Sequence, residues 1–550
     1  MNATSNASRI STLLCTAMAL FAGHASANSA SGSFIVEAHG NISAARAVRQ
    51  VGGQVTHDLP IVNGVSARLS ARQAARLRKD SRFELFADAP LATQSSGVAL
   101  DIYQRTMLGV NELASQGING SGVTVAVLDS GIYQTGNGVL YDVNGNYRVS
   151  AQYDAINNIL NDASHPCQNW PCANDTYGHG SHISGLIANS TTADVELQSE
   201  PEGIAPMVRL INVKAFDGSG ASSYATVLNG LNWILNNRTT YGNIRVVNMS
   251  FGAKPQSFYW NDPIDKAVMK LWQAGVVVVA SAGNFGPKAQ TIAVPGNTPY
   301  VITVGAMTDN FTPNDPTDDG VTSFSSAGPT YEGFVKPDIV APGGHLAAFM
   351  HAGTQLLATN YPQFASAESN LFVMSGTSQS AAVTTGVVAL MLQANPKLTP
   401  DQVKCRLLAS ADAAIGKGGK AAYSIFQQGA GRINAYAAVY SQAANCANQG
   451  LNVAADIAGT QHFGGPARQN HATGAFYVVD ANGNSLNNDG YLWNQTYAKV
   501  QGYLWNNGYL WNNGYLWNNG YLWNNGYLWN QSAVAPASAP AAMESWNAQE

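Results

Sequence analysis

The chain has 550 residues, 45% hydrophobic and 11% charged, with a formal net charge of −5. This length and apolar content support a large folded domain with appendages. The slight acidity gives no electrostatic reason to expect nucleic acid or an anionic membrane as partner.

Residues 1–27 read as a secretory signal peptide, so the expectation is a secreted, extracellular protein. Arg9 precedes the apolar run STLLCTAMALFAG, which ends at Ala25-Ser26-Ala27, a small-x-small cleavage pattern. That run is too short for a permanent anchor, and no later stretch reads as a transmembrane segment. Four cysteines follow the cut: Cys167, Cys172, Cys405 and Cys446. An even count in an oxidising compartment suggests disulfides. Of three pairings, the short CQNWPC spacing favours Cys167–Cys172, which leaves Cys405–Cys446.

Residues 33–89 read as a compact unit. SFIVEA alternates as a strand, NISAARAVRQVGG is a helix closed by glycine, and GVSARLS is another strand. SARQAARLRKD is an amphipathic helix opened by Ser70, and RFELFA is a last strand. The pattern is a small β-α-β-β-α-β unit, set at 28–95 with the exposed linker LATQSSG at its end.

From about residue 121 long apolar strands alternate with helices, setting the main domain at 96–447. GVTVAVLD, VRLINVKAF, RVVNMSF, GVVVVASAG and YVITVGAM are rich in Val and Ile without alternation, as strands buried on both faces are. ASSYATVLNGLNWILNN and DPIDKAVMKLWQAG suit crossover helices. The expected fold class is α/β, a mostly parallel sheet flanked by helices. In such sheets functional groups gather at the carboxyl ends of the strands.

Three residues stand out there. Asp129 ends the apolar strand GVTVAVLD, and a carboxylate in that place needs a partner. GHGSHISG sets His179 and His182 three apart at the start of a helix, without the glutamate that a helical zinc motif carries. Ser378 stands at the entrance of the apolar helix SGTSQSAAVTTGVVALMLQ. A serine nucleophile needs a base within reach, histidine suits that role, and a carboxylate fixes the histidine's tautomer.

The blocks VAVLDSGI, GHGSHISG and SGTSQSAA, in the order Asp, His, Ser, resemble the subtilisin-like serine peptidases. The resemblance implies catalytic roles for Asp129, His179 and Ser378. ASAGN is similar to the family's oxyanion segment, which implies Asn284 as side-chain donor beside the Ser378 amide. KPDIVAPGG and GAGRINAYAAV resemble further landmarks, and the 28–95 unit is similar to the inhibitor-like propeptide. Ser181, Ile183 and Ser184 stand where Thr, Val and Ala are usual, while Gln379 and Ala382 replace Met and Pro. His182 is left as a packed structural histidine.

The resemblance further implies substrate-binding walls at Ser250, Phe251 and Gly252 and at Ala280, Ser281, Ala282 and Gly283. GASSYA around Gly220 would supply an edge for substrate backbone. These segments are uncharged, so a broad or apolar P1 preference is expected. No cofactor is required. The loop TDNFTPNDPTDDG, with Asp309, Asp315, Asp318 and Asp319, offers oxygen ligands for structural calcium, although a solvated acidic loop is the simpler reading.

Residues 448–550 read as a C-terminal extension. GYLWN starts at 490, 502, 508, 514, 520 and 526, and TYAKVQ at 496–501 keeps the six-residue frame. The GYLWNN repeats (490–531) suit either a small stacked β-array or an adhesive tail for a cell surface, carbohydrate or another protein. AVAPASAPAAM reads as a flexible end. The function expected is a secreted serine endopeptidase made as a self-processing zymogen, with protein or peptide substrates and its own propeptide as inhibitor. The competing class is an inactive surface-binding protein that uses the fold as scaffold.

Overall fold

Two serine caps lay out the N-terminal unit in the computed structural model. The structure describes residues 31–40, 42–88, 90–93, 104–135, 138–162, 164, 173–192, 202–312, 315, 317–366, 370–414, 421–480 and 483–486. The signal sequence, Cys167 and Cys172, residues 94–103 and the GYLWNN repeats lie outside these. After β1 (Ser31–Ala38), Ser43 Oγ accepts from Arg46 N and opens α1 (Ala44–Gln50). β2 (Gln54–Leu59) and β3 (Gly64–Ser70) follow. Ser70 and Gln73 then form a reciprocal capping box that opens α2 (Ala71–Leu77), before β4 (Phe83–Ala87).

The four strands make an antiparallel sheet in the order β2-β3-β1-β4. One apolar set, including Val36, Val48, Val65 and Leu69, forms this unit's own core. Ile35, Leu59, Ile61 and Val62 instead join the core of the large domain. Beyond β4, residues Pro90–Thr93 form a further strand, β5.

The large domain begins with short helices α3 (Gln104–Met107) and α4 (Val110–Ser115). Next come β6 (Thr124–Asp129), β7 (Val149–Asp154), β8 (Ile159–Asn161), α5 (His179–Ala188), β9 (Arg209–Lys214), β10 (Ala221–Ser223) and α6 (Tyr224–Asn237). β11 (Ile244–Met249), β12 (Phe251–Gly252), α7 (Pro263–Gln273), β13 (Val277–Ser281), β14 (Ile302–Thr308), β15 (Gly320–Val321) and β16 (Ile339–Pro342) continue it. The central sheet runs β15-β14-β13-β11-β6-β9-β7-β8, with β16 also on β14. Only β8 and β15 pair antiparallel. Every residue of β6, β13 and β14 is buried, which explains their lack of alternation.

A hairpin-like unit of β17 (Leu346–Phe349), α8 (Leu356–Asn360), β18 (Ala365–Ser366) and β19 (Leu371–Met374) precedes α9 (Thr377–Ala394). Helices cover the sheet in two pairs: α5 packs on α9, and α6 packs on α7. The N-terminal unit docks on the second pair. Lys266 Nζ lies 2.6 Å from Glu37 Oε2, and Lys270 donates to the Ile61 carbonyl. Among the described residues no helix is long and apolar enough to cross a membrane.

α10 (Pro400–Ser410), α11 (Ile425–Gln428) and α12 (Ala435–Tyr440) follow, and the expected Cys405–Cys446 disulfide ties α10 to the segment after α12. The boundary expected at 447 falls inside the folded unit. α13 (Val453–Ile457) and the small sheet of β20 (Ala467–Gln469), β21 (Phe476–Val479) and β22 (Ser485–Leu486) pack on the large domain. Phe463, Ala467 and Val478 belong to its core, and Asp456 accepts from the hydroxyls of Tyr259 (2.6 Å) and Tyr300 (3.0 Å). Two buried tyrosine hydroxyls require such an acceptor, and the sequence N-terminal to 447 does not supply it.

The acidic loop keeps its expected solvated form in part, with Asp315 and Asp318 exposed. Asp309 is only 3% exposed and accepts from Phe311 N at 3.1 Å, while Asp319 pairs with Arg432 at 2.7 Å. A turn hydrogen bond fixes Asp309, and the ion pair to Arg432 fixes Asp319. Among the described residues no group of three His, Cys, Asp or Glu side chains converges on a point where a metal would sit.

Candidate active site

Asp129 stands at the carboxyl end of β6, and His179 is the first residue of α5. Asp129 Oδ1 lies 2.8 Å from His179 Nδ1 and accepts from Ser130 N at 2.7 Å. Their side chains are 1% and 0% exposed, so the pair is shielded from water and from screening salt. His179 Nε2 has no hydrogen-bond partner within the protein.

The glycines of GHG have specific tasks. Gly178 has φ of 119°, a left-handed value, and a Cβ there would meet Met350 Sδ at 2.8 Å. A Cβ on Gly180 would come 2.2 Å from the Gly131 carbonyl oxygen. The helix start can therefore press onto the Asp129-Ser130-Gly131 turn only as Gly-His-Gly.

Ser378 lies in the first turn of α9, buried at 1% exposure. Its Oγ donates to the Ser250 carbonyl at 3.0 Å, and Ser250 Oγ donates to the Ser378 carbonyl at 2.8 Å. Behind them Asn248 Nδ2 donates to Ser250 Oγ (2.9 Å), and Thr385 Oγ1 donates to Asn248 Oδ1 (2.8 Å). Asn284 Oδ1 accepts from Thr377 N at 3.0 Å and Thr377 Oγ1 at 2.8 Å, which fixes the carboxamide against the same first turn.

Asp175, which the sequence reading passed over, organises the approach to His179. Its Oδ1 accepts from Ser130 Oγ (2.9 Å), Tyr177 N (3.0 Å) and Gly178 N (2.8 Å). Its Oδ2 accepts from Ser181 N (2.8 Å), Ser181 Oγ (2.7 Å) and Gln355 Nε2 (3.2 Å). The carboxylate caps the N-terminus of α5, where negative charge is favoured. An acidic residue four before the histidine was the available signal. Gln355 gave none, since it arrives from the distant start of α8. Lys214 Nζ completes the surround by donating to the Ser130 (2.9 Å) and Asn174 (2.6 Å) carbonyls.

His182 is elsewhere engaged, with Nε2 3.1 Å from the Leu346 carbonyl and 2.9 Å from the Phe372 carbonyl. Burial first, then the neighbouring His179, pushes its pKa down to about 3. It is a neutral donor that ties α5 to β17 and β19.

The segments read as substrate walls lie together. β5 runs antiparallel between β10 and β12, in the order β10-β5-β12. Ser281 Oγ donates to the Phe251 carbonyl at 3.0 Å and joins the two walls. Ala293, also unnoticed in the sequence, sits between them. A Cβ on Gly252 would be 2.7 Å from the Ala293 methyl, and one on Gly283 would be 3.0 Å away. Backbone bonds from Ala293 N to Ala282 O (2.9 Å) and from Val294 N to Ala253 O (2.9 Å) hold it there. The lining is uncharged throughout.

With this geometry in place, comparison with known proteins is direct. A profile described as the subtilase family (Peptidase_S8) matches residues 120–431. Serine protease AprX of Bacillus subtilis (strain 168) is 37% identical over 293 residues, 52% of this chain and 61% of AprX. Subtilisin E of the same strain is 29% identical over 371 residues, 66% of this chain and 79% of that protein. Subtilisin of Bacillus pumilus is 31% identical over 301 residues, covering 54% and 87%. Among solved structures, fervidolysin from Fervidobacterium pennivorans, a keratinolytic enzyme related to subtilisin, aligns with a TM-score of 0.58 at 21% identity, over 76% of this chain and 62% of that one. The last is a likeness of fold. The matched region spans about three fifths of AprX and of fervidolysin.

Proposed function

Because the chain belongs to the subtilase family of subtilisin-type serine endopeptidases, we propose that it is a secreted endopeptidase working through Asp129, His179 and Ser378 and made as a self-processing zymogen. The observation that carries this reading is the buried Asp129–His179 hydrogen bond of 2.8 Å, at the start of a helix packed on the one that carries Ser378 in its first turn.

In the mechanism, Ser378 turns its hydroxyl from the Ser250 carbonyl to His179 Nε2 and attacks the scissile carbonyl carbon. His179 takes the proton as general base and then gives it to the departing amine. Asp129 holds the imidazole with Nδ1–H toward itself and stabilises the imidazolium. Asn284 Nδ2 and the Ser378 amide donate to the developing oxyanion, an interaction that strengthens in the transition state. Asp175 keeps α5 seated on the Asp129 turn. These steps use the chain's own groups and call for no cofactor.

Substrate lies as an extended strand between β10 and β12, the place held here by β5. The uncharged lining, closed at one end by Ala293, suits uncharged P1 side chains of moderate size. The 31–88 unit acts as the inhibitor that carries β5 into the cleft. The GYLWNN repeats serve to hold a carbohydrate or cell surface, supported by their evenly spaced Tyr-Leu-Trp triplets.

The test is secretion of the wild type beside Ser378→Ala, read by intact mass and by hydrolysis of an unfolded protein. The expected result is loss of the N-terminal unit and hydrolysis in the wild type alone. Equal trimming of both, or of neither, overturns the reading and favours an inactive scaffold.

A further inference from the structure

The segments that carry Gly252 and Ala293 are tied to each other at two points. At the near point Ala253 and Val294, the next residues along, form an antiparallel bridge. At the far point each segment carries a buried tyrosine, Tyr259 seven residues after Gly252 and Tyr300 seven after Ala293. Both hydroxyls donate to one oxygen, Asp456 Oδ2, at 2.6 and 3.0 Å. Burial first, then the Asp456 charge, pushes both phenols well above their usual range, so each keeps the proton that it donates.

Asp456 is itself fixed. Its Oδ1 lies 2.8 Å from His462 Nδ1, and the His462 ring stacks on Trp260 at 4.9 Å. Tyr259 is held a second time through its amide, which donates to Glu332 Oε1 at 2.9 Å. The same C-terminal segment grips that loop, with Gly465 N donating to Glu332 O (2.8 Å) and Ala467 N to Gly333 O (2.9 Å). A Cβ on Gly465 would stand 2.0 Å from the Gly333 carbonyl oxygen, so the contact leaves no slack.

We infer that Asp456 is a positioning residue for the P1 space, setting the separation of the Gly252 and Ala293 segments. It does so from outside the region that the family profile matches, 120–431. The assignment rests on the peptidase reading above and on those two segments lining P1. Hydrogen bonds to a carboxylate are short and strong, and two hydroxyls on one oxygen cannot drift apart while both last. Together with the Ala253–Val294 bridge they close a ring, which resists opening at Gly252 and Ala293. Loss of Asp456 leaves two buried donors without their acceptor. Tied at one point only, the segments can then hinge about the bridge, and the P1 space widens.

The experiment measures kcat/KM on two short peptide amides that differ only in phenylalanine or alanine at P1. The proteins are the full chain as wild type, Asp456→Ala, Tyr259→Phe, Tyr300→Phe and Val478→Ala. Val478 belongs to the core of the same C-terminal segment, and its truncation leaves the tether groups in place. Asp456→Ala is expected to raise the phenylalanine-to-alanine ratio about fivefold, and each tyrosine variant about twofold. Val478→Ala should lower the urea midpoint and keep the wild-type ratio. A wild-type ratio in Asp456→Ala and both tyrosine variants overturns the inference; where Asp456→Ala fails to fold, the tyrosine variants decide alone. An equal shift in Val478→Ala also overturns it, since general loosening then suffices. Either result leaves the peptidase reading standing. Absence of hydrolysis in the wild type overturns that reading and this inference together.

Discussion

Ser250 and Ser378 hold each other by reciprocal hydrogen bonds, Ser378 Oγ to the Ser250 carbonyl at 3.0 Å and Ser250 Oγ to the Ser378 carbonyl at 2.8 Å. Ser250, between β11 and β12, thereby fixes the first turn of α9. Ser250→Ala removes the donor to Ser378 and leaves Asn248 Nδ2 short of its acceptor, both buried. The expected cost is about 1–3 kcal/mol in stability, read by urea unfolding of the protein carrying Ser378→Ala. In the active protein kcat should fall about tenfold, the misplacement of a reacting group by a fraction of an ångström being enough. Unchanged stability and kcat would show the pair to be idle.

Asn284 is held by Thr377 through its Oδ1, so its donor end serves the oxyanion in our mechanism. Asn284→Ala should lower kcat by about 10²–10³, with KM nearly unchanged. A rise in KM at constant kcat would instead mark Asn284 as a ground-state contact.

Asp175 accepts six hydrogen bonds from groups around the start of α5. Asp175→Asn turns one acceptor oxygen into a donor that faces other donors. The expected loss is about 3 kcal/mol in stability, the scale of a broken buried polar network. Because His179 sits on that turn, kcat should drop about 10- to 100-fold while KM stays within about twofold. A variant equally unstable but with wild-type kcat would confine Asp175 to a structural role.

Gly252 faces the Ala293 methyl closely enough that a Cβ would stand 2.7 Å from it. Gly252→Ala should push the wall into the space for the P1 side chain. The expected outcome is a fall of about tenfold or more in kcat/KM for a phenylalanine at P1, with a smaller effect for alanine at P1. Equal losses on both substrates would remove Gly252 and Ala293 from the P1 pocket.

Glu332 is buried, accepts from Tyr259 N at 2.9 Å, and is pushed by desolvation from 4.5 up to about 7. Between about pH 4.5 and 7 the folded state keeps a proton that the unfolded state has lost, so stability falls as pH rises through that window. Glu332→Gln mimics the protonated form and should flatten the curve by on the order of 3 kcal/mol across the window. Urea midpoints at pH 5 and pH 7.5, in the Ser378→Ala protein, make the comparison. Parallel curves for the two proteins would contradict a neutral Glu332.

Much of the fold was legible because its signals are local. The non-alternating runs at 124–129, 277–281 and 302–308 are strands buried on both faces, and burial on both faces leaves no polar positions to alternate. Ser70 announced α2 by its own capping chemistry. β2 was less audible, for QVTHDL alternates exposed with half-buried positions and carries few apolar residues.

The amino-acid sequence by itself determined the alternation of buried strands and helices, the Gly-His-Gly turn into α5 and the serine at the head of α9. Each follows from short-range sterics or periodicity. Only the tertiary structure decided that Gln355 reaches Asp175, that Ala293 closes the space between Gly252 and Gly283, and that Phe463 and Asp456 belong to the core. It also decided the register of β5 against β12. Those relationships join residues tens to hundreds of positions apart, and no local propensity encodes which surfaces meet. They are set when buried polar groups must find partners and apolar faces must close, conditions met by the packed chain as a whole.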